Sequence, residues 1–156
     1  MTVRFACEKD IPQMNSLLYQ VERVHQQGRP DLFKEGAKKY TDNELKDMLK
    51  DKTKPIFAAV DENDVMKGYA FCVFQEHKGD NVLTDIRTLY IDDLCVDEKC
   101  RGQHIGSVLY EAVKKFAKEQ GCYNVTLNVW ECNPSARKFY EKAGLKPYKT
   151  GMEVIL

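Results

Sequence analysis

The chain has 156 residues, the size of one domain, with 43% hydrophobic and 31% charged residues, a composition that excludes disorder. Its 24 Lys and Arg balance 24 Asp and Glu, so no net field draws it to nucleic acid or to an anionic membrane. No apolar run approaches the roughly 18 residues that would span a bilayer, and the six cysteines and three histidines make no zinc pattern.

In chain order, Val3–Cys7 alternates well enough for a short strand, and Asp10 offers an N-cap with Pro12 in the first turn of a helix. Met14, Leu17, Leu18, Val21 and Val24 recur at three- and four-residue steps, the stripe of an amphipathic helix. The polar stretch His25–Phe33, broken by Gly and Pro, reads as a loop. Thr41-x-x-Glu44 is a capping box that opens a second helix, and Pro55 closes it. Ile56–Val60 and Tyr69–Phe74 flank the turn residues Asp61–Asp64 and read as antiparallel strands, followed by a strand over Thr88–Val96.

The strongest helical stripe is Ile105, Val108, Leu109, Ala112, Val113, Phe116 and Ala117, with Gly121 as its stop. Val125, Leu127 and Val129 alternate in the next strand. Asn133-Pro134 opens a helix that runs to Gly144, and Met152–Leu156 reads as a last strand. The order is therefore β-α-α-β-β-β-α-β-α-β. It implies a single α/β domain over residues 1–156, with a mixed, mostly antiparallel central sheet, helices on both faces and one βαβ crossover.

Cys100-Arg-Gly-Gln-His-Ile-Gly106-Ser107 joins a strand to a helix N-terminus. The first amides of a helix lack internal acceptors and the macrodipole is positive there, so a phosphate can dock on backbone N–H groups where small residues let it approach. Arg101 adds a donor. Two glycines by themselves leave a plain strand-to-helix turn as the other reading.

With its neighbours, this segment resembles a known pattern. Arg101-Gly-Gln-His-Ile-Gly106 is similar to the pyrophosphate motif of the GNAT superfamily of acetyl-CoA-dependent N-acetyltransferases. Asn133-Pro-Ser-Ala136-Arg-Lys-Phe139-Tyr140-Glu-Lys-Ala-Gly144 resembles that family's second acetyl-CoA motif. The likeness covers about residues 88–145. One position departs from it: His104 stands where the family usually has its first glycine.

The resemblance implies acetyl-CoA as cosubstrate and no metal. The backbone of Leu94, Cys95 and Val96 would pair with the pantetheine arm, and the amides of Arg101, Gly102, Gln103, His104, Ile105, Gly106 and Ser107 would hold the pyrophosphate. Asn133 and Ala136 would contact the cofactor, and Tyr140 would be the proton donor to the thiolate. Asn133 is equally a helix cap, and Tyr140, beside Phe139, reads otherwise as a core aromatic.

Asp92 and Asp93 interrupt an apolar strand, where a carboxylate is costly unless paired or useful. Strict alternation sends them to opposite faces. Diamine-acetylating members of the superfamily carry an acidic pair here, so the resemblance implies Asp92 as base and Asp93 as a contact to the substrate ammonium or a structural group. Cys95 lacks a His partner in sequence and reads as packing rather than as an acetyl carrier. His25, Arg29 and Asp31 lie where this superfamily shapes its acceptor site, and a solvated loop is their other reading.

The expected activity is acetyl transfer to a primary amine in a ternary complex, the acceptor being a small amine, an amino acid, or a protein N-terminus or lysine. The alternative is a non-catalytic CoA-binding or regulatory module on the same fold. Neither nucleic acid nor a membrane is expected as partner. Small members of the superfamily are often homodimers, although no uninterrupted apolar edge marks an interface. With no secretory leader in the sequence, a cytoplasmic location with reduced thiols is expected.

Overall fold

The computed structural model describes residues 1–156. Five strands form one sheet in sequential order: β1 (Thr2–Phe5), β2 (Ile56–Val60), β3 (Met66–Glu76), β4 (Arg87–Val96) and β5 (Asn124–Leu127). The first four are antiparallel neighbours, and β5 joins β4 in parallel. Four helices complete the fold: α1 (Ile11–Gly28), α2 (Asp42–Lys50), α3 (Ile105–Glu119) and α4 (Pro134–Lys142).

The sheet separates two cores. On one face Met14, Leu17 and Leu18 of α1 and Leu45 of α2 pack on Ala58, Tyr69 and Phe71. On the other, Ile105, Leu109 and Val113 of α3 pack on Phe57, Ala70, Leu89 and Ile91, with Phe139 of α4 alongside. The alternation of β2 and β3 decides which residues face which helix layer.

Local signals set most boundaries. Glu44 N donates to the Thr41 hydroxyl at 3.2 Å and Thr41 N to the Glu44 carboxylate at 2.7 Å, closing the capping box. Ala136 N donates to the Asn133 side chain at 3.2 Å, so Asn133 caps α4.

Three expectations are corrected. Asp10 stands at the N-cap position of α1 as expected, but its side chain makes no cap bond: it is buried and accepts instead from the Arg4 guanidinium at 2.8 and 2.9 Å and from Cys7 N at 2.8 Å, since a buried carboxylate is costly without a cation. α1 continues to Gly28, which places His25 on the helix and not in the loop. Met152–Leu156 forms no strand: it makes no backbone hydrogen bond to any of the five strands.

Candidate active site

β4 carries the feature that shapes the site. Its register against β3 steps from Phe71 opposite Asp93 to Cys72 opposite Ile91, leaving Asp92 without a cross-strand partner. That extra residue is a β-bulge, and it breaks alternation. Asp92 and Asp93 consequently point to the same face, which corrects the opposite-face expectation. Asp92 accepts from Lys39 Nζ at 2.9 Å and from the Tyr40 hydroxyl, and Asp93 accepts from the Tyr69 hydroxyl at 2.7 Å.

Parallel pairing with β5 ends at Ile91 opposite Leu127. From Asp92 to Val96, β4 is therefore hydrogen-bonded along one edge only, to β3. Between the diverging strands opens a cleft of about 500 Å³, whose walls include Asp92, Asp93 and Leu94 of β4, Leu127–Trp130 after β5, Asn133, Ala136 and Tyr140 of α4, and Val21, Glu22 and His25 of α1.

The far end of the cleft is aromatic. His25 lies 5.2 Å from Phe33, and Phe33 meets Trp130 edge to face at 5.1 Å. Burial lowers the pKa of His25 and favours its neutral form. Gly28 at the end of α1 lets the Trp130 segment approach: a Cβ there would meet Cys132 at 2.7 Å.

Charge is unevenly matched across this cleft. Lys38 is engaged by Asn15 and Asp42, and Lys39 by Asp92. Glu22, half-buried in the wall, has neither a hydrogen bond nor an ion pair, which leaves it free for a ligand. Sequence reasoning passed over Glu22, although it follows Leu18 by four residues and so sits on the inward stripe of α1. Burial pushes the Asp93 carboxyl up to about 6, with the Tyr69 hydrogen bond and Lys39 opposing and Asp92 reinforcing. Burial also raises Tyr140, helped by the nearby Asp93, so its phenol stays protonated at neutral pH.

The remaining sequence-derived residues divide clearly. Cys95 is buried and donates to Leu17 O at 3.6 Å, and burial pushes its thiol up to about 12, as befits packing rather than nucleophilic chemistry. Arg29 and Asp31 pair with each other at 2.8 Å and do not line the cleft. Arg101, Gly102, Gln103, His104 and Ser107 are exposed around the start of α3, Ile105 is buried beneath it, and Gly106 lies between Val96 and Phe139. His104 takes the left-handed conformation, φ 60°. Val108 N, bonded to His104 O at 3.0 Å, opens the helical ladder, so the amides of Ile105, Gly106 and Ser107 precede any internal acceptor.

Residues 18–145 match the acetyltransferase (GNAT) family. Glucosamine 6-phosphate N-acetyltransferase of Arabidopsis thaliana is 36% identical over 56 residues, 36% of this chain and 36% of that protein. Thialysine N-epsilon-acetyltransferase of Bos taurus is 34% identical over 58 residues, 37% of this chain and 34% of that protein. The matched stretch spans only about a third of these relatives' own length.

Among solved structures, a mutant of the BH1408 protein from Bacillus halodurans superposes with a TM-score of 0.95 at 27% identity, covering 100% of this chain and 99% of that one. An aminoglycoside acetyltransferase from an uncultured soil metagenomic sample, in complex with sisomicin, shares the fold with a TM-score of 0.73 at 20% identity, covering 99% of this chain and 95% of that one.

Proposed function

The chain belongs to the acetyltransferase (GNAT) family, and we propose that it is an acyltransferase moving acetyl from acetyl-CoA to a small cationic alkylamine by direct attack in a ternary complex. The observation that carries this reading is the meeting of the Asp92–Asp93 pair, the Tyr140 phenol and a half-free β4 edge in one cleft.

GNAT proteins generally use acetyl-CoA, and the residues here fit it. The one-sided backbone of Asp92–Val96 suits the amide-bearing arm of CoA, which can add to a strand edge by β-type hydrogen bonds. The acceptor-free amides before Val108 suit the pyrophosphate.

An alkylammonium with a pKa of about 10 must lose a proton before its nitrogen can attack. Asp93, with its carboxyl near 6, is the base we assign: it faces the cleft and its pKa lies nearer to neutrality than an ordinary carboxylate's. Asp92, already held by Lys39 and Tyr40, fixes the charge beside it. The sequence by itself favours Asp92, and the bulge that turns both carboxylates to one face is what supports the reassignment. As the amine nitrogen bonds to the acetyl carbon and the carbon–sulfur bond breaks, the Tyr140 hydroxyl gives its proton to the departing thiolate, and the second proton that the nitrogen sheds in becoming an amide restores the phenol.

The relatives' names point to amino groups on an amino-sugar phosphate, on thialysine and on aminoglycosides. Free Glu22 favours an acceptor with a second positive charge, and Phe33 and Trp130 favour an apolar stem between the charges. Six free cysteines, with Cys7 exposed, support a reducing cytoplasmic setting.

The test is thiol release from acetyl-CoA over a panel of diamines, monoamines, amino acids and peptide N-termini. Turnover with diamines above all others is expected. Acetyl-CoA binding without thiol release for any amine would make the chain a non-catalytic CoA-binding module.

A further inference from the structure

Lys39 brings a cation into the cleft from a segment with little structure of its own. It lies between α1 and α2, where no backbone group of residues 34–40 bonds to another backbone group. Its neighbours fix it instead: Lys38 bonds to Asn15 and Asp42, and Tyr40 packs on Phe71 at 5.5 Å. The stem of Lys39 lines the cleft and sets Nζ 2.9 Å from the Asp92 carboxylate and 3.4 Å from the Asp92 carbonyl.

Lys39 is itself an alkylammonium on a flexible four-carbon stem, seated on the acidic pair. That is the chemistry of the acceptor assigned to this cleft, and Asp93, the proposed base, is the next residue along β4. The Lys39 side chain is still 36% exposed, and an ion pair so open to water is weak, so the ammonium can leave Asp92 readily. The carbonyl it touches begins the stretch Asp92–Val96 whose free edge suits the CoA arm. Leu94, the middle of that stretch, is two residues or about 7 Å further on, within the sweep of a lysine stem.

We propose that Lys39 is a site of self-acetylation: with acetyl-CoA bound and no amine present, its Nζ takes the acetyl group within the same chain. This rests on the acetyl-transfer reading of the cleft. The ammonium gives one proton to Asp93, Nζ bonds to the acetyl carbon as the carbon–sulfur bond breaks, and the Tyr140 proton goes to the thiolate. The second proton leaving Nζ restores the phenol, so the products are an acetyl-lysine amide and the free CoA thiol. The tether makes the step unimolecular once acetyl-CoA is bound, which favours this lysine over any that must arrive from another molecule. An acetylated Lys39 carries no charge, so Asp92 loses its cation and the amide fills space that the acceptor needs. The reaction thereby closes the cleft when acetyl-CoA is plentiful and amines are scarce.

The test is mass spectrometry of the purified chain after incubation with acetyl-CoA alone, with peptide mapping to place the added acetyl group. Lys39 should acquire it at least about tenfold faster than the exposed Lys46 and Lys52, with a rate constant independent of protein concentration. Lys39→Arg should lose the rapid label, and unfolding in urea should bring Lys39 down to the rate of Lys46. Three results would each overturn the proposal: Lys39 labelled no faster than Lys46, labelled equally fast in the unfolded chain, or labelled with a rate constant that grows with protein concentration. Thiol release with an added diamine is followed separately. Release without label on Lys39 removes the self-acetylation alone, label without release for any added amine upholds it and removes the diamine activity, and the absence of both removes both.

Discussion

Asp92 and Asp93 are adjacent on β4 yet bond to partners on the same face of the sheet, Tyr40 and Tyr69. The bulge at Asp92 produces this arrangement, and the two carboxylates differ in what surrounds them. Asp92 has a cation at 2.9 Å, while Asp93 has only a phenol and is raised by burial to about 6. A base works only when deprotonated, so kcat/KM should rise with pH through about 6 and then level. Asp93→Asn should remove that limb and lower kcat/KM at neutral pH by about 10²-fold or more. Asp92→Asn should keep the limb. The reverse pattern returns the role to Asp92.

The same shift has a consequence for stability. Because the folded-state pKa of Asp93 lies above its unfolded value, folding favours the protonated form. The penalty for ionisation is absent below the unfolded pKa of 3.8 and grows as pH rises to about 6. Asp93→Asn should therefore melt close to the parent chain at acid pH and above it at neutral pH. Equal melting temperatures across that window would show that Asp93 is hydrated well enough to ionise freely.

His104 holds φ 60° at the start of α3, where the backbone must turn before the helical amides line up. Histidine tolerates this region and a β-branched residue does not. His104→Val should cost about 1–2 kcal/mol and weaken the thermal stabilisation by acetyl-CoA, whereas His104→Gly should leave both near the parent values. Gly106→Val should be worse than either for binding, since its Cβ would already meet Phe139 at 3.3 Å. A His104→Val chain that melts and binds like the parent would show that the turn relaxes.

Much of this was legible because its causes are local. The Thr41 box, the α3 stripe and the Asn133 cap involve residues a turn or less apart, and each lies where the sequence puts it. What escaped depends on distant partners. α1 continues through His25, whose ring packs near Phe33 and near Trp130, a residue 105 positions away in the chain. β3 runs on to Glu76 because β4 offers Arg87 opposite it. No propensity announces a bulge, so the shared face of Asp92 and Asp93 could not be read from alternation. Met152–Leu156 has strand character without a partner in its own chain, which is a fact about neighbours rather than about those five residues.

Glu22 lines the cleft without a partner of its own. Removing its charge while keeping its shape should act on substrates according to their own charge. Glu22→Gln should raise KM for a diamine by about fivefold, the upper end for losing one partly solvated charge contact, and leave a monoamine of equal length within about twofold. kcat should hold for both. Equal losses for the two amines would mean that Glu22 supports the wall and does not read the second charge.

Tyr140 separates catalysis from packing through one oxygen. Its ring meets Phe139 edge to face at 5.1 Å, and its hydroxyl lines the cleft without a protein hydrogen-bond partner. Tyr140→Phe keeps the ring and strips a polar group that no protein atom satisfies, so the melting temperature should hold or rise slightly. Acetyl-CoA affinity should stay within a few-fold. General-acid assistance is worth about 10²–10⁴-fold, and the thiolate leaving a thioester is fairly stable already, so kcat should fall by about 10²-fold, at the lower end of that range. Because burial holds Tyr140 above its ordinary range, the parent enzyme should show no loss of activity on the alkaline side up to pH values near the free phenol's, about 10. An unchanged kcat in the phenylalanine variant, measured where chemistry limits turnover, would place the thiolate's proton on solvent and end the assignment of Tyr140 as the acid.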